Sequence, residues 1–406
     1  MLRRLPLLVL IALALPAIGC VSTSADGDLD ASNAGATTAT PAASSPVAST
    51  TTMPPGASAG DQLVVPAPDG TNEGTMSRLL RFSPDTPETR AASIEVGDVA
   101  AAEESAGTSF PDISAPPFPW DAYADYLLDG SISGGPIFLM PGPEVGYTYL
   151  LTDRALLAFG FSPPFVEQYV AVELPGDGRR VLAVALGPFE EAEILSHLEA
   201  CTSCQPTEVE ETVGDWSVRG WGPNSAASDP SMQFALPFYD LSGRGGRMAF
   251  RDGAVARAIL TADLHEVLRA DAGEVPSLAD VASYRDLAAQ ADALGALFMS
   301  VDRQERTVAP TAQGPFIDPW ALRATVWTAD RRALADPELT LLVYSSEEVA
   351  GETADRLRER AGQNDFGSLM PEFEVGYSGT VVVIRHSATE QAPRHLEFLL
   401  AEAPTP

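Results

Sequence analysis

Lysine is absent: all 25 basic residues of this 406-residue chain are arginines. That gap removes several chemistries in their usual form. A Walker-type loop sets a lysine on the phosphates, protein kinases need one on their third strand, and Ser-x-x-Lys acylases need one beside the nucleophile. Schiff-base catalysis needs the amine itself. Arginine-only usage with abundant Ala, Gly and Pro fits a GC-rich genome. Cysteine is scarce, with Cys20, Cys201 and Cys204 alone, and histidine is limited to His197, His265, His386 and His395. Positive charge is thin against 56 acidic residues, giving a net charge of −31. No arginine-rich block interrupts that field, so nucleic acid is repelled and is not expected as a partner. The acidity reads as solubility and spacing from an anionic membrane, with divalent-cation binding or a salty habitat as alternatives.

Long apolar runs are missing too, apart from one. Leu5 to Ile18 is an apolar stretch of 14 residues behind Arg3 and Arg4, too short to span a bilayer as an ordinary helix. It ends in Ala17-Ile18-Gly19-Cys20. This segment resembles the signal peptide and lipobox of bacterial lipoproteins, although Ala17 stands where leucine is usual. The resemblance implies removal of residues 1–19, acylation of Cys20 and anchoring on the extracytoplasmic side of a membrane. Arg3-Arg4 admits a twin-arginine reading, but Pro6 and the leucine-rich core favour the general secretory route. With no second apolar run of 18 residues, the lipid is the expected anchor. Cleavage removes two arginines and moves the charge to −33.

Residues 20–75 are rich in Ser, Thr, Ala, Pro and Gly and are expected to form a disordered tether. Asp26, Asp28 and Asp30 mimic the start of a calcium loop, but Ala31 and Thr37 occupy the positions of its turn glycine and bidentate glutamate. A composition of 45% apolar and 20% charged residues over the whole chain suits globular folding. A first domain is expected over 76–302 and a second over 316–406, with RQERTVAPTAQGP as the linker.

Strands are expected at 93–96, 147–152, 155–159, 180–186, 216–221, 295–301, 322–328, 339–344 and 375–385. Arg251-Asp252-Gly253 marks a hairpin within 247–259. Helices are expected at 98–106, 119–129, 189–200, 261–270, 277–294, 346–360 and 391–401. The fold class is therefore α+β with antiparallel or mixed sheets. VLAVALGPFEEAEILSHLEA and LTLLVYSSEEVAGETADRLRERA are both strand, sharp turn, acidic helix start and amphipathic helix. They suggest two similar sheet-plus-helix units, a diverged split β-α-β duplication. LMPGPEVGY at 139–147 recurs as LMPEFEVGY at 369–377, at a different place in that order. Pro276-Ser-Leu-Ala-Asp280 and the second half resemble exported proteins of GC-rich bacteria, often lipoproteins, with no activity to carry over.

Candidate chemistry is sparse. Cys201 and Cys204 are the thiols left after lipidation, and an oxidising compartment pairs them. They follow a helix C-terminus, whereas redox Cys-x-x-Cys motifs use a helix N-terminus to lower the thiolate pKa. A structural disulfide is therefore favoured over redox work. His197, Cys201 and Cys204 also have metal-ligand spacing, with Glu208 as a fourth donor. His265-Glu266 begins a zincin-like pattern that fails at Arg269. Glu144, Tyr147, Glu374 and Tyr377, in the recurring motif, are candidate binding residues. Trp216, Trp221, Trp320 and Trp327 suit sugar stacking or, more simply, core packing. No cofactor is expected. The reading is a tethered binding or envelope accessory protein, with an exported hydrolase or a metal- or redox-handling lipoprotein as alternatives.

Overall fold

The computed structural model describes residues 61–68, 73–107, 160, 165–176, 180–202, 206, 208–227, 229, 231, 244–302, 318, 320–330, 337–362 and 373–387, all within the compact unit Pro55–Pro406. The elements expected at 119–129, 147–152, 155–159 and 391–401 lie outside the described residues. The fold is α+β.

The strands are β1 (Asp61–Gln62), β2 (Ser93–Asp98), β3 (Gln168–Leu174), β4 (Arg180–Leu186), β5 (Glu208–Val213), β6 (Trp216–Gly220), β7 (Arg247–Arg251), β8 (Ala254–Ala258), β9 (Ala296–Val301), β10 (Leu322–Thr328), β11 (Pro337–Val343), β12 (Glu374–Ser378) and β13 (Val381–Ser387). They form one 13-stranded sheet in the order β1-β12-β13-β11-β10-β9-β2-β3-β4-β8-β7-β6-β5. β1 runs parallel to β12, and the other pairings are antiparallel. Spans 76–302 and 316–406 thus contribute to a single sheet, joined where β9 pairs with β2 on one side and β10 on the other.

Helices are α1 (Thr75–Leu79), α2 (Pro87–Arg90), α3 (Val99–Ala106), α4 (Glu191–Ala200), α5 (Thr261–Asp271), α6 (Ala282–Ala293) and α7 (Glu347–Gly362). Local chemistry sets several ends. Asp98 accepts the Ala101 amide at 3.0 Å to start α3, and Gly107 stops it in the left-handed conformation. α1 has no cap of its own. Asp292 of α6 supplies it, accepting the Met76 and Ser77 amides at 2.9 and 3.1 Å. The helix expected over 277–294 is divided. Ser277 and Asp280 make a capping box around a 3-10 turn, and α6 begins only at Ala282.

Two expectations are corrected. Residues 61–68, inside the span expected as tether, join the fold, because Leu63 donates its amide to Val375 O at 3.1 Å and Leu63 and Val65 pack against the core. A polar composition hid two apolar side chains at alternate positions just after β1. The strand expected over 375–385 is a hairpin, since Gly379 at φ 53° turns β12 into β13.

The sheet has two unlike faces. The first carries a continuous apolar cluster running from Val381 and Val383 of β13 through Met299 and Ile94 to Trp216 of β6. α1, α5 and α6 cover it through Leu79, Leu264 and Leu287. On the second face, α3 and α4 cover one cluster through Ala102, Ile194 and Leu198. α7 covers another through Ala350, Ala354 and Leu357.

Candidate functional site

The two clusters of the second face are separate, and polar side chains fill the sheet between them. Strand alternation explains why. In β10, Leu322, Ala324 and Val326 enter the first-face core, which sends Arg323, Thr325 and Trp327 the other way. In β11, Leu339, Leu341 and Val343 do the same, leaving Glu338 and Thr340 opposite.

Pairing aligns these residues into rows. One row runs Glu95, Ser300, Thr325 and Thr340 across β2, β9, β10 and β11. The next holds Phe298, Trp327, Glu338 and His386. Trp327 tilts against Phe298 at 4.5 Å between ring centres and donates its indole N–H to Glu338 Oε2 at 3.3 Å. Thr340 Oγ1 and His386 Nε2 are 3.0 Å apart, and Glu338 Oε1 stands 3.9 Å from that same nitrogen. Arg323 pairs with Asp302 at 3.2 Å. This band was missed in the sequence, although strict alternation in LRATVWT carries its signal.

The geometry of the band differs from that of an acid–base relay. A relay needs the carboxylate on the ring nitrogen opposite the nucleophile. Here the hydroxyl and the carboxylate both approach Nε2, and Thr340 and His386 are each 1% exposed. The band is a knot of donors and acceptors fixed by the sheet.

Among the described residues, the expected site residues do not converge on one site. Cys20, Glu144, Tyr147 and Cys204 lie outside the described residues. Cys201 ends α4, its amide donating to His197 O at 3.1 Å. His197 is half exposed, 4.0 Å from Glu193, and packed so closely against Gly160 that a Cβ there would lie 2.5 Å from the ring. Glu208 lies on β5. Among the described residues no three His, Cys, Asp or Glu side chains group as metal ligands. Glu374 and Tyr377 are on opposite faces of β12. Glu374 pairs with Arg385 at 3.6 Å, while Tyr377 lies over Gly351 of α7.

The tryptophans divide. Trp216 and Trp221, each 1% exposed, belong to clusters on opposite faces, so packing rather than sugar stacking is their role. Asp271 accepts the Trp216 indole N–H at 3.1 Å, and Arg251 lies 4.3 Å over the ring while also binding Asp271. Trp320 packs against the α7 cluster. His265 stands 3.3 Å from Glu211, and Glu266 is engaged by Arg269 at 2.9 Å.

A surface cavity of about 420 Å³ opens on the first face beside α2 and α5, with Leu174 and Leu182 at its floor and Glu88 and Asp263 on its wall. Arg180 binds Asp263 of that wall at 2.7 Å, and that bond raises the already high guanidinium pKa further. Burial pushes the Tyr284 hydroxyl up to about 12, so it is a neutral donor to Arg90 O at 3.1 Å. Burial likewise raises Tyr344 behind α7.

No protein-family description, curated protein or solved structure matches this chain.

Proposed function

We propose that this chain is a lipid-anchored extracytoplasmic protein of the cell envelope that binds a partner or scaffolds an assembly rather than performing covalent chemistry. Residues 1–20 support the anchor, with Cys20 as the acylated residue and residues 21–60 as the tether. The polar band on the second face supports the binding role. It gathers Trp327, Glu338, Thr325 and Thr340 into one array of fixed polar groups between the two apolar clusters of that face. The partner is a protein or small molecule, not nucleic acid, given the charge of −31.

The two halves of the sheet read as similar units. β2-β3-β4 is a meander followed by α4 on the second face, and the chain then returns from the outer edge so that β8 pairs with β4. β9-β10-β11 is a meander followed by α7 on that face, and β13 returns to pair with β11. The opening strands of the two units, β2 and β9, pair antiparallel at the centre. A duplication of one ancestral unit accounts for this order.

An exported hydrolase would draw on Thr340 and His386. Their burial and the placement of Glu338 on the same nitrogen weigh against it.

The test is fractionation of cells expressing the full chain. Wild-type protein partitions into detergent and its N-terminal peptide carries acyl mass on Cys20, and Cys20→Ser loses both while the domain stays folded. Wild-type protein found in the medium with an unmodified N-terminus overturns the proposal.

A further inference from the structure

The last few residues before the globular body occupy a site made for them. β1 adds two residues in parallel to the outer edge of β12, and Leu63 N–H continues the ladder to Val375 O at 3.1 Å. Leu63 and Val65 turn inward onto the first-face core, while Val64 between them is 89% exposed. Gln290 of α6, fully buried, donates to Pro66 O at 3.0 Å. Gly376 marks the site most clearly. A Cβ there would stand 2.3 Å from Leu63 O and 2.6 Å from Val65 Cγ2, so only glycine lets this segment pass.

The hold is nevertheless short. β1 pairs at two positions, whereas β13 pairs with β12 at five. An element with so few bonds and one exposed apolar side chain opens at far lower cost than the sheet. Opening it uncovers the unpaired outer edge of β12 and two vacated apolar sockets, the arrangement that accepts an added strand.

We propose that residues 61–66 are a releasable strap and that the β12 edge beneath it is a strand-acceptor site, whose occupant after release is the same segment of a second copy of this chain. The second copy fits by identity, since it carries the Leu-x-Val spacing that fills the sockets and the same proline stop after it. Residues 21–60 precede the strap, so tension on that stretch reaches β1 before any other described strand. The proposal does not depend on the lipid anchor.

A labelled synthetic peptide of residues 60–68 tests it. Full-length protein carrying Leu63→Asp and Val65→Asp, which disables its own strap, binds the peptide saturably. Wild type binds it about tenfold more weakly or less, because its own strap competes. The peptide carrying Leu63→Asp and Val65→Asp does not bind. Absence of peptide binding by a double variant that still melts cooperatively overturns the proposal, as does equal binding to wild type. A second readout uses the wild type alone. The Leu63 amide exchanges with solvent about a hundredfold faster than that of Val382 in β13. Equal protection of the two amides overturns the proposal regardless of how the double variant folds.

Discussion

The two faces of the sheet are built from the same strands and have opposite characters. The first carries one continuous apolar cluster across both halves, and α6 sits on it where β9, β10, β11 and β13 all come within its reach. The second is apolar only under α3 and α4 and again under α7, with Glu95, Ser300, Thr325 and Thr340 between. The difference divides the labour. The continuous face joins the halves into one body, and the interrupted face holds a band of polar groups between its two clusters.

Breaking the first face has the largest expected effect. Leu287 of α6 is fully buried in the shared cluster, so Leu287→Ala lowers the unfolding free energy by about 2–5 kcal/mol. Denaturant melts followed in both halves shift together. A shift confined to one half would mean that the continuous face does not couple them.

Asp292→Ala comes next. It leaves the Met76 and Ser77 amides without their acceptor, at a cost of about 1–3 kcal/mol, read as a lower denaturation midpoint. Asp292→Asn recovers part of it, because an amide oxygen still accepts.

Thr340→Val sharpens the contrast on the second face. It keeps the side-chain shape and removes the hydroxyl partner of His386 Nε2, for about 1–2 kcal/mol. A cost as large as that of Leu287→Ala would make the polar band part of the core.

A smaller effect belongs to Asp280. The Ser277 amide and hydroxyl hold its carboxylate below the ordinary range. A depressed folded pKa stabilises above the unfolded value, so its contribution is present at neutral pH and lost as pH falls below about 4. Asp280→Asn removes that part of the acid dependence of the melting temperature.

The last concerns Cys201 and Cys204. Replacing both by serine costs a few degrees if they form the short clip after α4, roughly 1–2 kcal/mol for so small a loop. Thiol titration of protein from the envelope separates this from the metal reading, which requires two free thiols and metal lost on His197→Ala.

Local elements were legible and long-range order was not. RVLAVAL, buried on both faces, is a strand at the expected residues, and Asp98 with Gly107 brackets α3 as their chemistry dictates. Arg251-Asp252-Gly253 is the expected hairpin, with Gly253 at φ 77°. β3 and β5 were missed because QYVAVEL lies between uninformative flanks and EVEETV is acidic. The β2–β9 pairing joins residues about two hundred positions apart, a distance over which no periodicity speaks. The polar band followed the same rule. Its alternation is visible strand by strand, but the rows exist only once register aligns four strands.

The coupling of the halves is tested most directly by native-state hydrogen exchange at Val184 of β4 and Val383 of β13. A single body predicts that both amides open with one free energy and one denaturant dependence, equal to those of global unfolding. Exchange at Val383 through a separate opening, well below that of Val184, would contradict it.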